Sequence, residues 1–134
     1  MTRAAFLRRL ADLDACEDAR DWAMAQRGAA PEQLWAACGR GDWLLWLAAR
    51  AGVRRQDVVL AACACARLSL PHVPAGEERP LRAIETAERW ARGDASLTEV
   101  RAAAAAAAYA AASYAAYAAY AADAAAAASA AAAD

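Results

Sequence analysis

The chain has 134 residues, a length that corresponds to about one domain with a hydrophobic core of its own. Its formal net charge of −1 argues against a general nucleic-acid binder, because phosphate recognition needs an excess of positive charge. Alanine dominates the composition, and since alanine buries little area, the core has to depend on the larger apolar residues.

The N-terminal part of the chain predicts three short helices. Thr2 is suited to cap the first, a second covers roughly residues 16–26, and a third covers residues 31–38 with proline at its first position. On the third helix we expect Leu34 and Trp35 to face the core.

A cluster of acidic residues lies around the junction of the first two predicted helices. Asp14, Glu17 and Asp18 form its centre, Asp12 and Asp21 its ends, and it contains a single arginine. One interpretation is a solvated junction with carboxylates near a helix N-terminus, where the helix dipole favours them. The other is a patch for a basic partner, which makes Asp14, Glu17 and Asp18 candidate partner-binding residues.

Residues 41–52 form a helix that we expect to be the hub of the fold. Asp42 is suited to cap it, and Gly52 suits the left-handed residue that ends a helix. Its apolar residues, including two tryptophans, cover nearly the whole circumference, which is typical of a helix buried on all sides. The next predicted helix, residues 57–70, is apolar over most of its circumference too, so we expect these two helices to be the most buried.

The C-terminal half predicts two more helices. Pro80 begins one that Gly93 closes, and Ser96 with Glu99 forms a capping box for the last. From there to residue 134 the chain contains no glycine or proline, which predicts one alanine-rich helix roughly 55 Å long. The chain stops inside the alanine tract without a stop signal, so we expect that the natural protein continues or that this is a shortened version.

Together these patterns predict an all-α fold, a single domain of six or seven helices ending in one long alanine-rich helix. We expect residues 1–95 to form a compact helical core. Residues 96–134 would form the long helix, packed on the core and partly projecting, within the same domain.

The last helix carries a tyrosine pattern. Tyr109, Tyr114, Tyr117 and Tyr120 fall within an arc of roughly 140° at 100° per residue. Because a nearly uncharged helix is poorly solvated, we expect this arc to pack on the domain or on a partner, which includes a homodimer through this helix. The four tyrosines are therefore further candidate partner-binding residues.

Catalytic and metal-binding patterns are weak. His72 is the only histidine and lies between prolines, and no phosphate-binding loop is present. Cys63 and Cys65 are two apart on a predicted helix, so they point about 200° apart and cannot both ligate one tetrahedral ion. We expect no catalytic residues, no cofactor and no metal.

The cysteines and the apolar segments bear on the compartment. No secretory signal precedes the four cysteines, so we expect free, small, buried thiols in a cytoplasmic protein. The alanine tract lacks the residues whose insertion into a membrane is favourable, and it contains Asp123. We therefore expect no membrane segment.

Several sequence blocks together resemble the Imm-5-like immunity proteins of bacteria and their phages. The blocks are Trp35-Ala36-Ala37-Cys38, Gly41-Asp42-Trp43-Leu44-Leu45-Trp46-Leu47, Ala61-Ala62-Cys63-Ala64-Cys65-Ala66-Arg67, Leu70-Pro71, and Arg79-Pro80-Leu81-Arg82-Ala83-Ile84-Glu85 running to Trp90-Ala91-Arg92-Gly93. The resemblance covers roughly residue 38 to the end. It implies an all-helical protein without enzyme activity that neutralises a toxin by binding it, and it implies no particular binding residues.

Composition alone favours a second function class. Small side chains let helix backbones approach closely, so the alanine-rich helix suits a structural or assembly module that self-associates through it. A toxin gene beside this one would favour the immunity function over the assembly module.

Overall fold

A computed structural model of the chain describes the backbone of residues 1–131 and the side chains of residues 1–114. The predicted all-α class is confirmed, since the described backbone forms seven α-helices and a 3₁₀ turn and contains no strand. The helices are α1 (Arg3–Asp12), α2 (Glu17–Ala25), α3 (Pro31–Ala37), α4 (Gly41–Arg50), α5 (Arg55–Arg67), α6 (Arg79–Ala91) and α7 (Leu97–Ala131), and the 3₁₀ turn is Leu70–His72. The predicted long final helix is confirmed as α7.

The chain divides into two compact units, Met1–Val58 and Val59–Asp134. The first unit holds α1 to α4 and the start of α5. The second holds the rest of α5, the 3₁₀ turn, α6 and α7.

Both ends of α1 are closed by local hydrogen bonds. The Thr2 hydroxyl oxygen accepts a backbone N–H of the first turn at 3.2 Å, which confirms the predicted cap. At the other end Asp14 has a φ of 60°, in the left-handed region that usually takes glycine. The N–H of Asp14 donates to the carbonyl of Ala11 at 3.0 Å. The N–H of Ala15 donates to the carbonyl of Leu10 at 2.9 Å, which completes a Schellman motif with aspartate in place of glycine.

Arg3 ties α1 to the end of α2. Its guanidinium donates to the backbone carbonyls of Ala23, Met24 and Gln26 at 3.0, 3.1 and 3.1 Å. The last carbonyls of a helix have no hydrogen-bond donor within the helix and carry partial negative charge. A guanidinium at this end both donates hydrogen bonds to them and compensates their charge. One side chain thus fixes the crossing of the first two helices.

The core of the first unit lies between α1 and α2. Leu10, Ala15 and Ala23 are buried, and five larger apolar side chains pack against them while remaining partly exposed. These five are Phe6, Leu7, Trp22, Trp46 and Leu47. Leu34 on α3 is only 2 % exposed, which confirms its predicted inward orientation.

The predicted hub helix is less buried than its sequence indicates. None of the residues of α4 is buried, and those from Trp43 to Ala48 are all half-buried. The prediction that α4 is among the most buried helices is therefore wrong. Several of its apolar side chains line an open cleft that no other element fills, so an apolar circumference does not lead to full burial here.

The prediction that α5 is among the most buried helices is also wrong, for a different reason. Only Cys63 is buried in this helix, and Ala61, Ala64, Cys65 and Ala66 are exposed. Alanine exposes so little apolar area that leaving it in water costs little free energy. The stretch of α5 in which alanine alternates with cysteine can therefore remain at the surface.

In the second unit α6 packs against α7, with Ile84 and Ala110 buried. The predicted capping box of α7 is confirmed, because Ser96 Oγ accepts the Glu99 N–H at 3.2 Å and the Glu99 carboxylate accepts the Ser96 N–H at 2.6 Å. These contacts fix the first turn of α7, and the guanidinium of Arg89 on α6 lies 3.7 Å from the Glu99 carboxylate.

An ion pair links α5 to α6 within the same unit. The Arg67 guanidinium donates to both carboxylate oxygens of Glu88 at 2.8 Å, and this pairing lowers the pKa of Glu88. The Cys63 thiol also joins the two helices, since it donates to the backbone carbonyl of Ile84 at 3.8 Å.

Candidate partner-binding cleft

A cleft of about 580 Å³ opens in the first unit. Four of the five tryptophans of the chain line it: Trp22 from α2, Trp35 from α3, and Trp43 and Trp46 from α4. Apolar residues of α1, including Leu10, complete the wall. Its size lies within the range of about 300–1,000 Å³ that is usual for ligand pockets.

Two of the four tryptophans that line the cleft pair with each other. The ring centroids of Trp22 and Trp43 are 6.2 Å apart with an interplanar angle of 59°, a tilted aromatic pair. Trp35 is 48 % exposed, so the prediction that it faces the core is wrong. Since neighbouring residues of a helix point about 100° apart, α3 buries Leu34 and turns Trp35 outward.

Arg40 and Asp42 pair at the rim of the cleft. The guanidinium of Arg40 donates to the two oxygens of the Asp42 carboxylate at 2.9 and 2.6 Å, and this contact lowers the pKa of Asp42. The same guanidinium lies 4.5 Å from the centroid of the Trp43 ring. Asp42 lies inside the first turn of α4 and not at its N-cap, since Arg40 precedes the helix, so the predicted capping role is wrong.

The acidic cluster is divided by the cleft. All five carboxylates are exposed, but only Asp14 and Asp18 line the cleft, whereas Asp12, Glu17 and Asp21 lie outside its lining. Across residues 1–114 none of these five carboxylates forms an ion pair. Because Arg40 already pairs with Asp42, Asp14 and Asp18 leave the cleft with an excess of negative charge.

Of the candidate tyrosines, two have described side chains, both in the second unit. Tyr109 is 71 % exposed, with the Arg79 guanidinium 6.0 Å from its ring centroid. Arg79 also donates to the Glu77 carboxylate at 2.7 Å. This contact is the main reason why the pKa of Glu77 is lowered to about 2, and a hydrogen bond with Tyr114 makes a smaller contribution. Tyr117 and Tyr120 lie outside the described side chains.

The histidine and the cysteines are dispersed. His72 is exposed on the 3₁₀ turn. Cys63 is buried and Cys65 exposed, which confirms that they occupy opposite sides of α5. All four cysteines are free, but the prediction that they are buried holds only for Cys63, since Cys16 and Cys65 are exposed and Cys38 is half-exposed.

Among the side chains of residues 1–114, no group of three histidine, cysteine, aspartate or glutamate residues is placed to hold a metal ion. Within residues 1–131, no helix combines the length and the hydropathy that crossing a bilayer requires.

The carboxylates of the cleft are candidate residues from the sequence alone, but its tryptophans are not. The sequence predicts Trp35, Trp43 and Trp46 in the core, because chain positions do not show that they converge with Trp22. Their concentration in the first unit, with only Trp90 elsewhere, was the available signal.

Comparison of the chain with protein-family models, with curated protein sequences and with solved structures finds no match.

Proposed function

We propose that this chain is an immunity protein that neutralises a bacterial toxin in the cytoplasm by direct binding, with the cleft of the first unit as its binding surface. The observation that carries the proposal is that four tryptophans line the cleft together with two carboxylates, Asp14 and Asp18, that form no ion pair with residues 1–114. Aromatic side chains are enriched at the centres of protein interfaces, and binding energy concentrates where they fill pockets.

The choice of a toxin as partner depends on the resemblance to Imm-5-like immunity proteins. One of the blocks that carry it, residues 41–47, provides Trp43 and Trp46 of the cleft. Carboxylates around an apolar centre raise the association rate with a basic partner, which suits a protein that has to capture a toxin quickly. In this proposal the protein acts by occupying a surface of the toxin and catalyses nothing.

Co-expression with the toxin encoded beside this gene tests the proposal. Cells that make both proteins should survive and the two should co-purify, whereas cells that make the toxin alone should die. Asp14→Asn with Asp18→Asn should weaken the complex more at low salt than at high salt, and asparagine tolerates the left-handed conformation at position 14. The matched control is Asp12→Asn with Asp21→Asn, which changes the net charge equally but lies outside the cleft. The proposal is wrong if no toxin is encoded nearby or if protection survives without a complex.

A second candidate function is self-assembly through α7. The observation that favours it is Tyr109, which is 71 % exposed on a helix of 35 residues. Under this alternative the purified protein elutes as a defined oligomer, and Tyr109→Ala shifts it to the monomer. Under the immunity proposal, Tyr109→Ala leaves protection intact.

A further inference from the structure

We infer that the cleft of the first unit takes an arginine-bearing apolar segment of its partner, with the guanidinium against the tryptophan rings and its charge against Asp14 and Asp18. The inference rests on the proposed function only in treating the cleft as a protein-binding surface. It goes further by specifying the chemistry of the segment that enters.

The chain's own arginines show how a guanidinium fits these rings. The guanidinium of Arg40 lies 4.5 Å from the Trp43 ring centroid while it donates to both oxygens of Asp42. The guanidinium of Arg50 lies 5.5 Å from the Trp46 ring centroid. In the first of these contacts, a ring face and a carboxylate act on one guanidinium together.

The cleft contains a second set of tryptophan rings and carboxylates, to which no arginine of residues 1–114 is paired. Trp22 and Trp35 present further aromatic surface, and Asp14 and Asp18 are carboxylates that form no ion pair with residues 1–114. Asp18 lies close enough to Arg40 to contribute to the rise in the pKa of Arg40, although Asp42 has the larger effect. Asp18 and the Trp43 ring therefore lie near the same guanidinium, that of Arg40.

The apolar residues that line the cleft favour aliphatic side chains in the rest of the bound segment. Most of the wall is apolar, with Leu10, Leu34, Leu44 and Leu47 among its residues. Burying aliphatic side chains against such a wall is favourable, whereas a fully hydrophilic basic peptide would leave it in contact with water. Arginine suits the site better than lysine, because a planar guanidinium stacks on an aromatic face while its N–H groups still reach a carboxylate.

Tryptophan fluorescence titrations of the full chain with short peptides of equal length test the inference. The first peptide alternates leucine with arginine. The second has citrulline in place of arginine, which keeps the shape and removes the charge, and the third has serine in place of leucine. The leucine–arginine peptide should bind about tenfold more tightly than either control and should change the tryptophan emission most.

Two double variants locate the charge. Asp14→Asn with Asp18→Asn should abolish the preference for arginine over citrulline, while Asp12→Asn with Asp21→Asn should retain it, since those residues lie outside the cleft. Asparagine tolerates the left-handed conformation at position 14, so the fold is kept, and far-ultraviolet circular dichroism checks this.

The inference is overturned if the citrulline peptide binds as tightly as the arginine peptide, or if both double variants weaken binding equally. Its failure is distinguishable from that of the proposed function. Peptide binding without toxin capture removes the immunity function and keeps the arginine site. Toxin capture without a preference for arginine keeps the function and removes the site.

Discussion

Leu34→Ala is the substitution that tests the described core of the first unit. Leu34 is 2 % exposed and is the one buried residue of α3. Truncating a buried leucine to alanine costs about 2–5 kcal/mol, depending on how far the neighbours relax into the space. Leu34 also lines the cleft, whose side chains have room to move inward, so we expect about 3 kcal/mol.

Two further substitutions to alanine in the same unit allow the cost of truncation to be compared with the burial of each side chain. Leu44 on α4 is half-buried and should cost less than Leu34, while Met24 on α2 is 52 % exposed and should change the free energy of unfolding by less than about 0.5 kcal/mol. Urea unfolding followed by tryptophan emission is the assay, since four of the five tryptophans lie in this unit. If Leu44→Ala costs more than Leu34→Ala, α4 is the hub after all and the described core is wrong.

Three other substitutions follow from individual contacts. Arg3→Ala should lower the free energy of unfolding by about 1–3 kcal/mol, because three carbonyls lose their donor, while the exposed Arg8→Ala should have little effect in the same urea assay. Asp14→Gly should raise the free energy of unfolding by about 1 kcal/mol, since glycine adopts a φ of 60° without strain. The same substitution should weaken partner binding measured by calorimetry, because it removes a carboxylate of the cleft. The pKa of Glu77 is lowered from 4.5 to about 2, so its contribution to stability is complete above pH 4.5 and is lost as the pH falls toward 2. Thermal unfolding of Glu77→Gln should show a smaller decline over that range, and an unchanged decline would contradict the role of its contact with Arg79.

Several helix ends could be predicted because they depend on residues close in the chain. Thr2 caps α1, Pro31 begins α3, and Ser96 forms a capping box with Glu99, as the sequence indicates. Gly52 adopts a φ of 88° after α4. Each of these signals is satisfied within a few residues, so distant parts of the chain have little influence on it.

Which helices are the most buried could not be predicted, because burial depends on which elements pack against each helix. The apolar circumference of α4 indicates that its side chains avoid water, yet it does not show how many neighbouring elements are present to cover them. A unit of this size keeps a large share of its surface in solvent, and here the remaining apolar surface forms the cleft. The candidate site was therefore predictable in its charges, Asp14 and Asp18, and not in the tryptophans beside them.

The cysteines allow the most direct test that a partner enters the cleft, without any substitution. Cys16 is exposed in the lining of the cleft, whereas Cys65 is exposed on α5 in the second unit. The measurement is the rate at which each thiol is alkylated, read by mass spectrometry, with and without the co-purified toxin. We expect the complex to slow alkylation of Cys16 and to leave that of Cys65 unchanged. A complex in which Cys16 reacts at its free rate would show that the partner does not enter the cleft.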